Sequence, residues 1–528
     1  MCFIRYVIML AAICQDAEVD IEKKFAEEGK AAQEALIQKG AVASDISFYH
    51  RRDDLGRFAP PPTRPWLQQL DIFPESCVQG SDLKLLDRFQ YVNGIRIYDR
   101  RFADSDFEVF HRMAGNRLGD DAPEEFKQFL GLVPGTASLE LHSETLTDGV
   151  IQHVAALKHL QTLDLEGQYS VDTLTALAEL KELEHLTIRS VSPRNLNTTE
   201  YGRYDANLQR SWKQPVMFPP SLTSLEVTDL SVTDDDLAGL ANVKGLKGLG
   251  LRGALIHGPG LAHLKGLPIE SLRLDQCRLD DDALTYLEEL PIRSLSLSGC
   301  GLNDDTIVDL PPFPGLSEQY STLSLSHNHL TYMAIEDLPD NVYILRLDHN
   351  PISEWADQGR KRFNNLVYLD LSSTFVNDRI FSEMDGIPKL ISLDLRRTQI
   401  TGEGAEVLAG TTIENLILDF CPVTAKGLNK VCQIKQLTGL SLNGIRLTKK
   451  QLEEIGESLP NLGDLSIVGC GLTDDEIDVL RQGSLSQVRF FHSKFDAMQP
   501  IKAGYVTPPA GGKLGNFPPG FLTPKPDE

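Results

Sequence analysis

The chain has 528 residues, of which 41% are hydrophobic, and this composition is typical of a protein with a large folded core. Its 75 acidic and 51 basic residues give a formal net charge of −24. Such a charge repels phosphate backbones, so we expect no nucleic-acid partner and regard a basic protein surface as a better candidate. No apolar run approaches the roughly 18 residues of a membrane-spanning helix, so we expect no integral span.

Residues 1–16 combine a single base, Arg5, with an apolar run from Tyr6 to Cys14. This pattern is typical of a short signal peptide and predicts export or a place in the cell envelope. The alternative is an apolar segment that packs on the domain of a cytoplasmic protein. Residues 17–90 are predicted to form a helical N-terminal region and cap, because Asp20 to Gly40 has the pattern of a charged amphipathic helix.

Short leucine-rich units of the form Leu-x-x-Leu-x-Leu recur between residues 137 and 492, and a degenerate copy extends the array to residue 91. Units that end at Leu251, Leu274, Leu297, Leu325 and Leu347 are 22 to 28 residues apart. Alternating leucines predict a short strand, and acids such as those after Leu302 predict a helix start. Each unit is therefore predicted to be strand, turn and short helix, and to bury its leucines only by stacking on its neighbours.

A small or polar residue follows the last strand leucine by three positions in most units. A side chain of this kind can lie inside the turn and bond backbone groups of neighbouring coils. Cysteine or asparagine takes this position at Cys277, Cys300, Asn328, Asn350, Cys421 and Cys470. We therefore expect these four cysteines to be buried, reduced ladder residues.

With their period, these units resemble the leucine-rich repeat. The cysteines resemble the cysteine-containing, ribonuclease-inhibitor-like subclass, and the preamble is similar to that of large bacterial leucine-rich repeat proteins. The resemblance implies an α/β solenoid, with a curved parallel sheet on the concave face and short helices on the convex face. It also implies a non-enzymatic scaffold that binds other proteins.

An insertion at residues 191–220 interrupts the period. It carries Tyr201, Tyr204 and Trp212 among basic residues, and such residues are typical of interface hot spots. The segment is either a second partner contact or a loop that only caps the domain. Residues 493–528 are rich in proline and glycine and are predicted to be a disordered tail.

Three patterns suggest chemistry but have structural interpretations. Gly248 to Gly253 matches a dinucleotide fingerprint, yet it lies inside a repeat strand without a β-α-β context. Asp304 and Asp305 beside Cys300 are helix-start acids. His327 and His349 fall in register one repeat apart, as a weak metal site or a plain surface pair, and we favour the surface pair. We predict no catalytic residue, no cofactor and no metal.

The residues of the concave columns can be read from the strand pattern, and we expect their side chains to be exposed to solvent. Charged residues cluster there in neighbouring coils, and we predict that a protein or peptide partner contacts Arg273, Arg346, Asp348, Asp370, Asp394 and Arg396. Two other functions stay open: a substrate-recognition module of a ubiquitin-ligase-like or secreted effector system, and a cell-wall or carbohydrate binder. The second would need aromatic platforms. We expect a monomer.

Overall fold

A computed structural model describes residues 30–45, 66–88, 91–99, 101–110, 137–170, 172–190, 217–228, 232–313, 315, 321–355, 363–384, 386–473 and 489–491. The strands in these ranges form one sheet of 18 strands. They are β1 Val42–Asp45, β2 Trp66–Ile72, β3 Tyr91–Tyr98, β4 Ser138–Thr147, β5 Thr162–Gln168, β6 His185–Ser190, β7 Ser224–Thr228, β8 Gly248–Arg252, β9 Ser271–Arg273, β10 Ser294–Ser296, β11 Thr322–Ser324, β12 Ile344–Arg346, β13 Tyr368–Asp370, β14 Ser392–Asp394, β15 Asn415–Ile417, β16 Gly439–Ser441, β17 Asp464–Ser466 and β18 Arg489–Phe491.

The strands stack in chain order, each in parallel with the next from β2 to β18, so that one repeat supplies one strand. The register follows the leucines: Leu272 pairs with Leu295, and Leu295 pairs with Leu323. All three are buried. Because the strand period is two, the leucines face the core and the residues between them face the other side of the sheet. The α/β solenoid that the leucine-rich repeat resemblance implies is confirmed, with the sheet on the concave face.

Short helices return the chain from one strand to the next on the convex face. In the described residues, eight of these fourteen short helices are 3₁₀-helices, because most units leave room for only one or two turns. Helical residues 30–38 precede β1. The α-helices of the array are Ile151–Val154, Asp172–Leu177, Asp304–Ile307, Arg379–Met384, Ala425–Val431 and Lys449–Ser458, and its 3₁₀-helices are Gly80–Arg88, Asp104–Glu108, Asp148–Val150, Asp235–Asn242, Pro259–Leu264, Ala283–Leu287, Tyr332–Glu336 and Ala405–Gly410.

The ladder residues lie where the sequence predicts them. Cys300 Sγ donates to the carbonyl of Leu274 in the preceding coil at 2.9 Å, and Cys277 Sγ donates to that of Leu251 at 3.1 Å. Asn328 does more, since its side-chain oxygen accepts from the backbone nitrogen of Cys300 at 3.0 Å and its amide nitrogen donates to carbonyl groups. These buried bonds join consecutive coils and satisfy backbone groups that the turn leaves unpaired.

A second ladder joins the coils on the side of the helix starts. Asp304 accepts from the backbone nitrogen of Thr331 at 2.8 Å and from its hydroxyl at 2.6 Å, one coil further on. Asp378 contacts Thr401 in the same way. The cap of the helix that begins at Asp304 is instead Asn303, whose side chain accepts from the backbone nitrogen of Thr306. The first acid of the helix is therefore a tether between coils and not a cap.

The structure differs from expectation at both ends of the array. Strand β2 pairs in parallel with β3, so the sheet extends into the segment that we expected to be a helical cap. At the other end, Phe490 pairs with Leu465, whereas the leucine spacing predicts that it pairs with Ile467. Residues 1–16 and 493–528 lie outside the described residues.

Candidate functional site on the concave face

The predicted partner-binding residues occupy the concave side of consecutive coils. Arg346 pairs in register with Asp370, and Asp370 pairs with Asp394, which puts the three in one column on β12, β13 and β14. Arg273 belongs to the same column but lies three coils earlier, since Ser296 and Ser324 occupy the coils between. The structure therefore groups five of the six predicted residues and separates Arg273 from them by about 15 Å, three strand spacings.

A chain of hydrogen bonds fills that gap. Serine hydroxyls on β10, β11 and the residues after them bond to one another and to a carboxylate at each end. The chain runs Asp275, Ser296, Ser298, Ser324, Ser326 and Asp348. Such a network fixes the side chains of this surface before any partner arrives, and a preorganised surface loses less entropy on binding.

The acids of the patch are not exposed, contrary to our expectation from strand alternation. The side chain of Asp394 is inaccessible to solvent, and Asp370 is only 7% exposed. Asp394 accepts from Arg396 Nε at 2.9 Å and from the Arg396 backbone nitrogen at 3.1 Å. The physical reason is crowding: neighbouring coils and the guanidinium cover a short side chain that leaves the sheet at its centre.

Burial decides the electrostatics of this pair. Removal from water raises the pKa of Asp394, and the nearby carboxylate of Asp370 adds to the effect, while the bonds from Arg396 oppose it without reversing it. The pKa of Arg396 is raised, chiefly by its hydrogen bond to Asp394. The two side chains are thus hydrogen-bonded, yet burial of the ionised carboxylate of Asp394 still lowers the free energy of unfolding.

The arginines, by contrast, project into solvent. The side chains of Arg273 and Arg396 are about half exposed, and Arg273 pairs with Glu226 at 3.1 Å. The guanidinium of Arg346 lies 6.0 Å from the ring centroid of Tyr368, within reach of a cation–π contact. Among the described residues, Arg346 has no carboxylate within ion-pair distance. Glu226 balances the charge of Arg273, so the accessible positive charge of the patch comes from Arg346 and Arg396, on a protein of net negative charge.

A row of left-handed residues lies beside the patch and was missed by the sequence reasoning. In successive coils the residue before the ladder position has a φ of 56° to 58°, a backbone conformation that favours glycine. The side chains are His327, His349, Ser373, Arg397 and Phe420, whereas later coils carry glycine there. Phe420 is 49% exposed, and the guanidinium of Arg397 lies 5.0 Å from its ring centroid. The only sequence feature that could have located these residues is their position, one residue ahead of each ladder residue.

Two of these histidines meet a carboxylate. The rings of His327 and His349 are stacked with centroids 4.0 Å apart. Asp348 Oδ2 accepts from His349 Nδ1 at 2.9 Å and lies 3.9 Å from His327 Nε2. Partial burial and the neighbouring imidazole lower the pKa of His327, and the bonds that Asp348 accepts from His349 and Ser326 lower its own pKa despite its burial. The register predicted the pair of histidines, but not the carboxylate between them.

A second polar cluster lies near the N-terminal end of the sheet. Tyr98 donates to Glu140 at 2.5 Å, and its pKa is raised to about 12 by burial and by that bond. Asp164 bonds to Arg189 at 2.8 Å; although burial opposes it, bonds from His142 and Arg189 lower the pKa of Asp164. These residues occupy the same concave columns as the predicted patch, and extending the columns upstream would have found them.

Aromatic rings border this cluster. The ring of Phe73 is stacked on that of Tyr98 with centroids 5.7 Å apart, and Phe73 is 39% exposed. The sequence columns from residue 226 onward are nearly free of aromatics, so this pair is a feature that the sequence reasoning did not find. Tyr201, Tyr204 and Trp212 of the insertion lie outside the described residues, so their part in a site stays a prediction.

Comparisons with known proteins agree with the repeat pattern. A family model described as "Leucine Rich repeat" matches residues 386–409. Chicken lumican is 29% identical over 153 residues, which is 28% of this chain and 43% of lumican, so the match spans less than half of that relative.

Three solved structures are among those to which the chain is similar. An internalin from Listeria monocytogenes is 18% identical, with a TM-score of 0.37, over 71% of this chain and 86% of its own. A Leptospira interrogans LRR protein is 18% identical, with a TM-score of 0.36, over 80% and 90% of the two chains. A chain of the mouse RP105/MD-1 complex is 15% identical, with a TM-score of 0.45, over 80% and 74%.

No helix in the described part of the chain combines the length and the hydropathy needed to span a membrane. The recurring leucine unit, the sheet that gains one parallel strand per unit and the matching family model lead to one assignment. The chain has a leucine-rich repeat fold, and its residues 386–409 match the leucine-rich repeat family model.

Proposed function

We propose that this protein is a non-enzymatic scaffold that binds a protein or peptide partner on its concave face, between Arg273 and Arg396. The observation that carries the proposal is the division of charge in the patch. The carboxylates of Asp370 and Asp394 are buried, while the guanidiniums of Arg273, Arg346 and Arg396 remain accessible. A partner that presents carboxylates and apolar side chains would suit this surface.

The neighbouring residues support a partner of this chemistry. Arginine and aromatic side chains are over-represented among the residues that dominate binding energies at protein interfaces. Here Tyr368 lies under Arg346, and Phe420 lies under Arg397, so apolar area accompanies each of these charges. The serine network adds polar groups that are already oriented. The rival of an effector or ligase-associated receptor would share this surface and add a further module.

The test is affinity capture on the immobilised full chain, followed by binding measurements with the protein that is retained. Arg273→Glu combined with Arg346→Glu reverses two exposed charges and leaves Arg396, which satisfies buried Asp394, in place. We expect binding at least about tenfold weaker, about 1.4 kcal/mol, with a shallower salt dependence. The matched control is Arg379→Glu, on a convex helix with its side chain 73% exposed. Equal affinity of wild type and the double variant would refute binding on this patch.

Carbohydrate binding is a second candidate, and the exposed ring of Phe73 on Tyr98 is the observation that favours it. Aromatic faces beside carboxylates and arginines suit the apolar and hydroxyl surfaces of a sugar. Saturation-transfer NMR with soluble cell-wall oligosaccharides would detect binding. Phe73→Ala should abolish the signal and Phe420→Ala should not; no transfer from any oligosaccharide, or equal transfer in both variants, would remove this candidate.

The compartment and the oligomeric state remain part of the proposal. On the composition of residues 1–16, we propose that the protein is exported to the cell envelope, with a cytoplasmic location as the alternative. We also propose that it is a monomer. Fractionation of cells that express the full chain, combined with light scattering of the purified protein, tests both statements.

A further inference from the structure

We propose that His327, Asp348 and His349 form a binding site for a divalent transition-metal ion, with zinc as the ion of choice. One ligand atom from each residue lies within 4.8 Å of the other two. The three residues come from two neighbouring coils, at the end of the concave patch beside Arg346. This site goes beyond the proposed binding function and replaces the surface pair that we favoured from the sequence.

The spacing of the ligand atoms fits a metal ion. In a tetrahedral zinc site with bonds of about 2.0–2.2 Å, neighbouring ligand atoms are about 3.3–3.6 Å apart. Here Asp348 Oδ2 lies 2.9 Å from His349 Nδ1 and 3.9 Å from His327 Nε2. The two distances bracket the required value. Because the stacked rings must turn out of their parallel arrangement to direct both nitrogen lone pairs at one ion, binding requires both histidine side chains to rotate, and both are partly exposed.

The surroundings already orient the carboxylate. Asp348 Oδ1 accepts a hydrogen bond from the hydroxyl of Ser326, which leaves Oδ2 directed at the histidines. Outer bonds of this kind fix metal ligands in their binding orientation. Ser326 is itself held by Ser324 at 3.3 Å, so the serine network described above ends at the metal site. The side chain of Asp348 is only 15% exposed, and it therefore stays in place.

The donor set selects the class of ion. Two imidazoles with one carboxylate suit zinc and its neighbours in the transition series, whereas magnesium and calcium prefer oxygen ligands. The histidine side chains are 37% and 39% exposed, so an ion bound here would face solvent on one side. That side would carry water or a donor atom from another molecule, and three protein ligands with an open position are typical of a reactive or bridging zinc site and not of a closed structural one.

The backbone provides a matched set of variants. Both histidines have left-handed backbones, φ 57° and 56°, and asparagine tolerates this conformation well. His327→Asn and His349→Asn therefore remove the imidazoles with little change in backbone energy. His329→Asn is the control, because His329 is exposed on the same turn but does not belong to the cluster.

The experiment is a titration of the full chain with Zn²⁺ alone, by calorimetry and by competition with a chelating dye. We expect the wild type and His329→Asn to bind one more equivalent than the His327→Asn/His349→Asn double variant. Each single variant should weaken that equivalent by at least about tenfold, since loss of even an outer partner of a metal ligand usually costs that much. Because the exposed thiol of Cys77 and the surface acids are the same in every variant, zinc bound by these groups does not contribute to the difference between variants.

Cobalt provides a second measurement, since Co²⁺ bound to two imidazoles and a carboxylate absorbs visible light. The wild type should show these bands, and the double variant should lack them while keeping its melting temperature. Zinc binding of equal stoichiometry and affinity in the wild type and the double variant, or no binding to the wild type, would overturn the proposal. Either result is independent of the partner-capture experiment, since that experiment changes neither histidine.

Discussion

At the scale of single residues, the ladder cysteines illustrate how burial controls reactivity. Cys277 and Cys300 are almost fully buried, and each sulfur donates to a carbonyl group of the preceding coil. Burial raises the pKa of Cys277 to about 12 and that of Cys300 well above its ordinary value. Because the thiolate is the reactive form, these sulfurs are doubly protected, by inaccessibility and by protonation.

We therefore expect the native protein to separate its cysteines by rate of modification. Cys77 is exposed and should react with a maleimide within minutes at neutral pH, while Cys277, Cys300, Cys421 and Cys470 should react only on unfolding. Mass spectrometry after brief labelling of native and urea-unfolded protein assigns each site, and Cys77→Ser provides the control. Rapid native labelling of the four buried cysteines would contradict the ladder assignment.

Asp394 gives a pH prediction. Burial raises its folded pKa above the value near 4 that an aspartate has in an unfolded chain. The folded protein therefore gains stability from this group as the pH falls, and its charge costs stability at neutral pH. Asp394→Asn should thus be as stable as the wild type, or more stable, at pH 7, with a difference that shrinks as the pH falls through the folded pKa. Urea unfolding at several pH values measures this. If the variant is instead much less stable than the wild type at pH 7 and equally stable at low pH, then the bonds from Arg396 stabilise the carboxylate by more than its burial costs.

At the scale of elements, each coil is held by leucines in the core and by tethers at its edges. Leu297 is inaccessible to solvent on the strand side, while Asp304 spans to Thr331 from the helix side of the same coil. The first contribution is hydrophobic and depends on packing, and the second is a pair of charge-assisted hydrogen bonds.

Substitutions in this coil should rank in that order. Leu297→Ala should cost about 2–5 kcal/mol, the usual range for a buried leucine. Asp304→Ala should cost about 1–3 kcal/mol, because it leaves the Thr331 backbone nitrogen without its acceptor. Asp305→Ala, next to it but exposed, should change the free energy of unfolding by less than about 0.5 kcal/mol. Urea unfolding of the three variants tests the order. Equal effects of the two aspartate substitutions would contradict the role of Asp304 as a tether between coils.

The sequence predicted the secondary-structure elements better than it predicted the burial and neighbours of individual side chains. Leucine spacing established which residues of β9 to β17 face the core, because a period of two leaves one choice of face. It did not show how deep the opposite face lies, so Asp370 and Asp394 were expected in solvent. The His327–Asp348–His349 cluster needed side-chain positions across two coils. Phe490 was placed out of register because, beyond the last clear repeat, no leucine pair fixes the pairing.

At the scale of the whole molecule, the array is nearly one-dimensional. From β2 onward each strand pairs with the strands before and after it in the chain, and the ladder bonds join adjacent coils. The stability of such an array is close to a sum of coil terms and nearest-neighbour interface terms. A destabilising substitution in one coil should therefore affect the stability of adjacent coils, and the effect should decrease with distance along the solenoid.

Double-mutant cycles test this directly. Leu297 and Leu325 lie side by side in adjacent coils, whereas Leu297 and Leu442 are separated by several coils, and all three are fully buried. We expect the effects of Leu297→Ala and Leu442→Ala on the free energy of unfolding to add within about 0.5 kcal/mol. Leu297→Ala and Leu325→Ala should instead deviate from additivity by about 0.5–3 kcal/mol, because the two cavities share their walls. Urea unfolding of the three single and two double variants gives both coupling energies. If the distant pair shows a coupling energy as large as that of the adjacent pair, the stability of the array is not a sum of coil terms and nearest-neighbour interface terms.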